Sequence, residues 1–427
     1  MQTDSSIYLD NAATTQPSQG VCEAVCAVMR EQYGNPSSLH GKGLEAERIV
    51  REARARVSAA LGADPGSVFF TSGGTEANNM AVAGVCARGP RGGANRIVTS
   101  AAEHMSILAP IRAMESKGWE VAYLPAGGGG GSGGGSGASN GGGYGSGAGN
   151  SGGGRSSSGA VSPDVLEAAL DGRVALISLA HVNNETGAVL HLDDVISLRD
   201  RVCPGALLHL DCAQSFMKLP QQPGRPGADI ICVSAHKIHG PKGVGAICVS
   251  DRARLSPLVL GGGQEGGMRS GTENTPAIAG FGVAAQEAAA ALPESAEHAE
   301  KLKRAMLSVL AASGIEYVVI AGDGYCSPYI LAIALPGVPA ELMLNHMDRE
   351  GVYISSGAAC SSRRASKTGS HVLAAMGLRP ELAKSAIRIS FSRFNTIAEV
   401  ETAAEKLIGA APRIKAARGA TAGRGAT

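Results

Sequence analysis

The 427-residue chain has no excess of charge of either sign. Its 38 lysines and arginines against 37 aspartates and glutamates give a formal net charge of +1. A chain without a strongly basic or acidic balance has no electrostatic footprint for nucleic acid or for an anionic membrane surface. We therefore expect no nucleic-acid partner and no membrane partner, and binding has to be inferred from individual sites.

Long hydrophobic runs and targeting signals are also missing. No apolar stretch approaches the roughly eighteen residues that a membrane-spanning helix needs. The opening segment, Met1 to Ser6, has neither an apolar nor an arginine-rich targeting pattern, and strand-like sequence begins at Ile7. The nine cysteines include no Cys-x-x-Cys pair, which argues against zinc sites and a disulfide framework. These absences predict a cytoplasmic protein with reduced thiols.

Glycine and serine dominate residues 127–159, where arginine and tyrosine occur once each. Such a tract cannot bury a core and is typical of a disordered insertion. Glycine patterns within it resemble a dinucleotide fingerprint and a nucleophile elbow. Neither pattern follows a strand or opens a helix, so we assign no function to either.

The remaining sequence alternates between strand-like and helix-like segments. This rhythm predicts βαβ crossovers and a mostly parallel sheet covered by helices, an α/β fold. A long helical stretch from Pro276 to Leu310 introduces a smaller α+β region. We predict a large domain of residues 16–265, a small domain of residues 1–15 and 266–412, and a disordered tail of residues 413–427.

Polar residues follow four of the predicted strands, and ligands of open α/β sheets bind at the carboxyl ends of strands. Thr71-Ser-Gly-Gly-Thr75 leads from a strand into a helix, where free amides favour an anionic group such as phosphate. The other three segments contain Glu103-His104, Asp211, and Ser234-Ala-His236-Lys237. Taken singly, the first segment is equally consistent with an ordinary capped helix, and His104 with a structural histidine.

Together, the four segments fit pyridoxal phosphate. A strand-end lysine can bind the cofactor as an imine, which makes Lys237 the candidate nucleophile. Asp211, a buried acid, would pair with the cationic ring nitrogen. The phosphate would lie at Thr75, with Ser234 and His236 nearby.

The sequence resembles the cysteine desulfurase family, a group of fold-type-I pyridoxal-phosphate enzymes close to the selenocysteine lyases. The resemblance extends from Ile7 to about Leu407 and has specific motifs in the family's order. These are YLDNAATT (8–15), YGNPSSLH (33–40), TSGGTEANN (71–79), EH (103–104), HVNNETG (181–187), LDCAQS (210–215), SAHKIHGPKGVGA (234–246), GGGQEGGMRSGTENTPAIAG (261–280), SSGAACSS (355–362) and AIRISFSRF (386–394).

The resemblance implies a large domain with a mostly parallel seven-stranded sheet, a smaller α+β domain, and a homodimer without a metal site. It also implies a role for each matched residue. Lys237 would form the imine, and His104 would stack on the ring and shuttle protons. Asn183 and Gln214 would contact the phenolic oxygen, and Asp211 would bind the ring nitrogen. The phosphate would be surrounded by Gly74, Thr75, Ser234 and His236, with Thr272 reaching it from the other subunit. Arg388 would bind the substrate carboxylate, and Asn183 would also contact the substrate.

Cys360 corresponds to the family's sulfur acceptor. Its neighbours from Ser355 to Ser370 are small and polar, which is typical of an exposed loop, and Arg363, Arg364 and Lys367 favour the thiolate. We predict structural roles for the other eight cysteines. The loop resembles the family's long-loop branch.

The resemblance implies conversion of L-cysteine to L-alanine, with the sulfur kept as a persulfide on Cys360. The sulfur would pass to an unidentified acceptor protein or thiol, for iron–sulfur cluster assembly or thio-modification. The chain ends soon after the small domain, without the family's scaffold-binding C-terminal extension, so docking to an iron–sulfur scaffold is not implied. Two alternatives stay open: a selenocysteine lyase acting on L-selenocysteine, and a catalytically silent interaction protein with the same fold.

Overall fold

The computed structural model describes residues 6–89, 93–127, 159–220, 227–322, 325–357 and 369–424, with side chains as far as residue 417. Two predictions fall outside these ranges. The predicted sulfur acceptor Cys360 lies outside the described residues. Residues 128–158 of the predicted glycine- and serine-rich insertion also lie outside them.

The described residues form twelve strands and twelve helices. The strands are β1 (Ile7–Tyr8), β2 (Val68–Thr71), β3 (Arg96–Ser100), β4 (Glu120–Leu124), β5 (Val174–Ala180), β6 (Leu207–Asp211), β7 (Ile230–Ser234), β8 (Gly245–Val249), β9 (Val318–Val319), β10 (Ile330–Ala334), β11 (Val352–Tyr353) and β12 (Ala386–Ser390). The helices are α1 (Gln19–Glu31), α2 (Gly41–Leu61), α3 (Gly74–Cys86), α4 (Met105–Glu115), α5 (Pro163–Ala169), α6 (Leu192–Val202), α7 (Thr275–Ala290), α8 (Leu292–Ala312), α9 (Ala340–Arg349), α10 (His371–Ala375), α11 (Pro380–Ala383) and α12 (Ile397–Arg424).

A seven-stranded sheet forms the centre of the molecule, in the order β2-β8-β7-β6-β5-β3-β4. Neighbouring strands are parallel except at β8, which is antiparallel to both β2 and β7. Every residue of β6, β7 and β8 is buried, because helices cover both faces of the sheet. The predicted mostly parallel seven-stranded sheet and its helical cover are confirmed.

Two helical layers enclose this sheet. On one face, α1, α2 and α7 pack together, and their apolar side chains share a core with those of the strands. Residues Ala46, Val50, Ala53 and Val57 of α2 are spaced by three or four positions and are all buried, as an amphipathic helix requires. On the opposite face, α3 and α4 pack over the same strands.

A smaller antiparallel sheet, ordered β12-β10-β9, has its own core with α8, α9 and α12. The N-terminal β1 pairs in parallel with β11, so the first residues of the chain pack against this second core. The long helix predicted from Pro276 to Leu310 is two helices, because the chain breaks at Ala291. Pro293 lacks an amide hydrogen and lies in the first turn of α8, where no such hydrogen bond is needed, which fits the start of a new helix at Leu292.

The predicted disordered tail is wrong over residues 413–424, because α12 continues without interruption to Arg424. Ile414 packs against the second core, and the alanine, lysine and arginine residues that follow favour helix. Within the part of the chain that the structure describes, no helix is both long enough and apolar enough to cross a membrane.

Candidate active site

The carboxyl ends of five strands meet at one edge of the central sheet, because β2, β3, β5, β6 and β7 run in the same direction. The polar segments that follow these strands are therefore brought together. A sixth segment joins them from the N-terminus, where Thr15 donates its backbone amide to the carbonyl oxygen of His236 at 2.9 Å. Residues 10–15 consequently cross the sheet edge directly beside the predicted site.

Lys237 lies in a short 3₁₀ turn, Ala235–Lys237, immediately after β7. Its Nζ donates hydrogen bonds to the carbonyl oxygens of Ala12 at 2.6 Å and Ala13 at 2.7 Å. The ammonium is thus held between the end of a central strand and the N-terminal crossing segment. This position places it at the sheet edge where the sequence predicts a cofactor.

Asp211 is the last residue of β6 and is buried. Its Oδ1 accepts the backbone amide of Ala213 at 2.9 Å, and its Oδ2 accepts Nδ2 of Asn78 at 2.7 Å. Asn78 also donates to Oγ of Ser106 at 2.8 Å and therefore connects α3 and α4 to the carboxylate. Sequence reasoning assigned no role to Asn78, although its spacing from Thr75 places it on the same face of α3, three residues along the helix.

His104 caps the amino end of α4 with its side chain. Its Nδ1 accepts the backbone amide of Ser106 at 3.1 Å, so the neutral ring carries its proton on Nε2. Burial lowers the pKa of His104, which lies near enough to Asp211 and Lys237 for both charges to act on it. The ring is therefore fixed and favoured in its neutral form beside the predicted lysine and acid.

Gln214 and Asn183 also reach the sheet edge. Gln214 Nε2 donates to the carbonyl oxygen of Ala12 at 2.8 Å, the oxygen that also accepts from Lys237. Asn183 Nδ2 donates to the carbonyl oxygen of Ala102 at 3.0 Å, and its Oδ1 accepts the amide of Glu185 at 2.9 Å. Gln214 is thus adjacent to Lys237, whereas Asn183 ties the loop after β5 to the loop after β3.

The amino end of α3 forms a cradle for an anion. The Gly73 preceding it has φ +151°, and no side chain caps the first turn, which contains Gly74 and Thr75. Opposite lies Ser234, whose Oγ is buried without a hydrogen-bond partner among the described residues. Free helix amides and an unpartnered hydroxyl are groups that a phosphate would satisfy, so the residues present fit the phosphate of pyridoxal phosphate.

His236 lies beside this cradle and is uncharged at neutral pH. Burial, with contributions from Lys237, Lys218 and Lys242, lowers the pKa of His236 to about 4. Its Nδ1 is 3.1 Å from Oγ1 of Thr14. Thr272 is exposed and lines a surface cavity of about 170 Å³ together with Ser72 and Gly243 of its own chain. Its predicted reach into a second subunit stays a prediction.

Arg388 lies in the middle of β12 and is only 2% exposed. Its Nη2 donates to Oδ1 of Asp10 at 2.7 Å, and its Nη1 donates to the carbonyl oxygen of Asn184 at 2.9 Å. Its Nε is buried without a partner among the described residues. The guanidinium is therefore oriented by the crossing segment and retains one unused donor.

Glu185 lies beside Gly357 and Ser370, two described residues on either side of residues 358–368. Ser370, the second described residue after that segment, donates its Oγ to Oε2 of Glu185 at 2.5 Å. Burial raises the pKa of Glu185 to about 7, while Ser370 and Arg388 act in the opposite direction. Glu185 occurs in a quoted motif, yet sequence reasoning assigned it no role, because nothing local indicated that its partner would be Ser370.

Three comparisons place these features among known proteins. The family model described as aminotransferase class-V matches residues 7–131 and 155–402. A protein of Archaeoglobus fulgidus called cysteine desulfurase IscS 1 is 32% identical over 415 residues, covering 96% of this chain and 97% of that protein. No group of three or more potential metal ligands occurs among the described residues.

Solved structures give the same result. A structure called NifS-like protein superposes with a TM-score of 0.82 and 32% identity, covering 95% of this chain and 98% of the other. A structure titled SspA in complex with cysteine superposes with a TM-score of 0.73 and 29% identity, covering 91% of this chain and all of the other. Sequence, fold and strand-end site agree, and the chain belongs to the aminotransferase class-V family of pyridoxal-phosphate enzymes.

Proposed function

We propose that this protein is a pyridoxal-phosphate-dependent cysteine desulfurase, which converts L-cysteine to L-alanine and retains the sulfur as a persulfide on Cys360. The observation that carries the proposal is the arrangement of Lys237, Asp211 and the unpartnered Ser234 at one sheet edge. A curated relative of nearly equal length bears the name cysteine desulfurase, and a structural relative was solved with cysteine.

Lys237 is the residue that would bind the cofactor covalently. Asp211 would face the ring nitrogen, because its carboxylate is buried and held in place by Asn78. The cofactor supplies an electron sink for the pair released when the substrate loses its α proton. Lys237, freed by substrate binding, would take that proton. Gly74, Thr75, Ser234 and His236 would surround the phosphate.

The substrate amino acid would be oriented by Arg388 and Asn183. Arg388 has a fixed guanidinium with an unused Nε donor, and Asn183 keeps a second amide hydrogen beyond the one given to Ala102. A carboxylate accepts such donors in a charge-assisted arrangement. His104, uncharged and fixed by Ser106, would stack on the cofactor and exchange protons with the substrate, and Gln214 would contact the phenolic oxygen.

The sulfur step needs a thiolate and no external oxidant. The Cys360 sulfur attacks the substrate sulfur, the new S–S bond forms, and the substrate C–S bond breaks with its electrons moving to carbon. Protonation of that carbon and return of a proton to the α carbon give alanine. We assign this step to Cys360 on the family resemblance and on the basic, small-residue composition of its neighbours.

We further propose a cytoplasmic homodimer that passes sulfur to an acceptor protein or thiol, with iron–sulfur cluster assembly as the use. The name IscS 1 of the curated relative supports this use. Leu39, Leu260 and Tyr33 are large apolar side chains that remain mostly exposed in the single chain, and a second copy would cover such surface. A dimer would also let Thr272 of one copy approach the phosphate site of the other.

The decisive experiment measures alanine release from L-cysteine and from L-selenocysteine. Wild type, Cys360→Ala and Lys237→Ala are compared, with Cys26→Ala as the control because Cys26 is an exposed cysteine away from the site. We expect Lys237→Ala to abolish both activities and Cys360→Ala to lower cysteine turnover on the order of 100-fold. Cys26→Ala should behave as wild type.

Turnover of selenocysteine alone would overturn the proposal in favour of a selenocysteine lyase. No turnover of either substrate by wild type loaded with pyridoxal phosphate would favour a catalytically silent interaction protein. Equal loss in Cys26→Ala and Cys360→Ala would show that the loss is unrelated to the sulfur acceptor.

A further inference from the structure

Lys218 is a second lysine buried behind the candidate site. It is 6% exposed, and its Nζ donates to Oε1 of Gln214 at 3.3 Å. The same Nζ lies 5.7 Å from the centre of the Tyr329 ring. Among the described residues, no carboxylate forms an ion pair with Lys218. A buried ammonium without a carboxylate is costly, so it requires an explanation other than stability.

Two contacts fix which way the Gln214 amide faces, one with Lys218 and one with the carbonyl oxygen of Ala12. In its charged form Lys218 can only donate, so the carbonyl end of the amide must then point toward it. The NH₂ end then points the other way, where Nε2 reaches the carbonyl oxygen of Ala12 at 2.8 Å. That oxygen also accepts from Lys237 at 2.6 Å. A reversed amide would place its NH₂ group against the ammonium.

Several charged and titratable groups surround Lys218. Burial, together with the charges of Lys237 and Arg388, lowers the pKa of Lys218 to about 7. The groups that act on Lys218 or line the same cavity are Lys237, Arg388, His236, His239, Arg393 and Tyr329. When Lys237 binds a carbonyl compound, its nitrogen becomes less basic, and the neutral form of that nitrogen favours the charged form of Lys218.

We propose that Lys218 is a positioning residue that fixes the amide of Gln214 with its NH₂ group toward Lys237 and the phenolic oxygen of the cofactor. The proposal rests on the proposed function, since it requires pyridoxal phosphate at Lys237. An amide hydrogen bond to the phenolic oxygen makes that oxygen a weaker base, and a nearby ammonium disfavours protonation of the Lys237 nitrogen. Both effects lower the pH at which the Lys237 nitrogen of the bound cofactor loses its proton.

The test is a pH titration of the visible absorption of the protein loaded with pyridoxal phosphate, without substrate. Lys218→Met removes the donor and the charge, whereas Lys218→Arg keeps both. We expect the titration midpoint of Lys218→Met to rise by about one pH unit and that of Lys218→Arg to return most of the way to wild type. Lys218→Leu is the second variant if Lys218→Met does not fold, because it also removes both the donor and the charge, and it should likewise shift the midpoint upward.

A double variant distinguishes the positioning of the Gln214 amide from a direct effect of the Lys218 charge on the cofactor. In Gln214→Leu the amide is absent, so adding Lys218→Met should shift the midpoint by clearly less than it does in wild type. An equal shift in both backgrounds, or no shift in Lys218→Met, overturns the positioning role. If wild type shows no cofactor absorption that depends on Lys237, the proposed function fails as well. Normal cofactor binding with an unshifted midpoint overturns this inference alone.

Discussion

Arg388 and Asp10 are 378 positions apart in the chain, yet the Nη2 of Arg388 donates to Oδ1 of Asp10 at 2.7 Å. The pair joins β12 of the small sheet to the N-terminal segment that crosses the edge of the large sheet. Arg388 is almost completely buried, and the Asp10 side chain is 21% exposed. The carboxylate that orients the arginine is thus part of the protein, in place before any substrate carboxylate arrives.

Asp10→Asn should lower the stability of the protein. The variant keeps an oxygen that can accept from Arg388 but removes the charge, leaving a buried guanidinium with weaker compensation. Because Asp10 is partly exposed, we expect the free energy of unfolding to fall by about 1 to 2 kcal/mol. Chemical denaturation of the cofactor-free protein measures it. Asp251→Asn, at an exposed aspartate without an ion pair among the described residues, should be neutral, and equal effects would contradict the pairing.

Asn78→Asp places a carboxylate against Asp211. Asn78 Nδ2 lies 2.7 Å from Asp211 Oδ2, so the variant would bring two acids together in a buried site and one of them must hold a proton. A carboxyl group whose pKa is higher in the folded than in the unfolded protein binds its proton more tightly in the fold. The stability gained from that proton is lost as pH rises. We therefore expect a loss of about 1 to 3 kcal/mol at pH 8 and a smaller loss at pH 5, measured by denaturation.

Asn79→Asp is the matched control for Asn78→Asp. Asn79 is the next residue on α3, and its half-buried side chain donates a hydrogen bond to the carbonyl oxygen of Thr75. It should change stability little at either pH. A pH-independent loss in Asn78→Asp would show that the variant perturbs packing and does not create a carboxylate pair.

The sequence predicted those parts of the site that follow strand ends. Lys237, Asp211 and Ser234 each end or follow an apolar run, so the sheet direction alone brings them to one edge. The phosphate cradle was also predictable, because Gly73 and Gly74 separate a strand from a helix. The large sheet followed from the alternation of strand-like and helix-like segments.

The remaining contacts depend on tertiary structure that no local pattern encodes. Asn78 and Asp211 are 133 positions apart. Lys218 and Gln214 are close in the chain, but they lie in a turn and not in a helix, so no periodic pattern indicates their contact. The break between α7 and α8 was missed because alanine-rich helical composition continues through Ala291. In the sequence, a proline in the first turn of a new helix cannot be told from a proline that follows the end of the previous one. The helical tail was missed because its glycine content indicated disorder, whereas the contact of Ile414 with the second core is not visible in the sequence.

Glu103→Gln should make stability less dependent on pH. Burial raises the pKa of Glu103 to about 8, opposed by the backbone amide of Ala180 and assisted by Asp211. With a folded pKa above the unfolded value of 4.5, the protonated form stabilises the fold at low pH. That contribution is lost as pH rises toward about 8. Glutamine is neutral throughout and can still accept from Ala180.

The difference in unfolding free energy between Glu103→Gln and wild type should therefore grow with pH. We expect the variant to gain on the order of 2 kcal/mol relative to wild type between pH 5 and pH 8.5. Denaturation at several pH values measures this directly. A difference that does not change with pH would show that Glu103 is ionised in the folded protein at all of them.

Gly245→Ala should displace the backbone near Gly73 and Ser234, which line the candidate phosphate cradle. Gly245 lies in β8 beside Ser234, and an added Cβ would come within 2.6 Å of the Val233 carbonyl oxygen and 2.8 Å of the Gly73 Cα. Backbone at both positions would have to move. We expect a loss of about 1 to 3 kcal/mol in stability and a weaker affinity for pyridoxal phosphate, by about tenfold.

Gly409→Ala is the control, because nothing lies within 4 Å of an added Cβ there and the position is inside α12. Alanine is the better helix former, so this variant should gain about 0.5 to 1 kcal/mol and bind the cofactor as wild type does. Titration of each cofactor-free variant with pyridoxal phosphate separates the two effects. Unchanged affinity in Gly245→Ala would contradict the assignment of the phosphate to the Gly73–Ser234 region, because that backbone cannot accept the methyl group without moving.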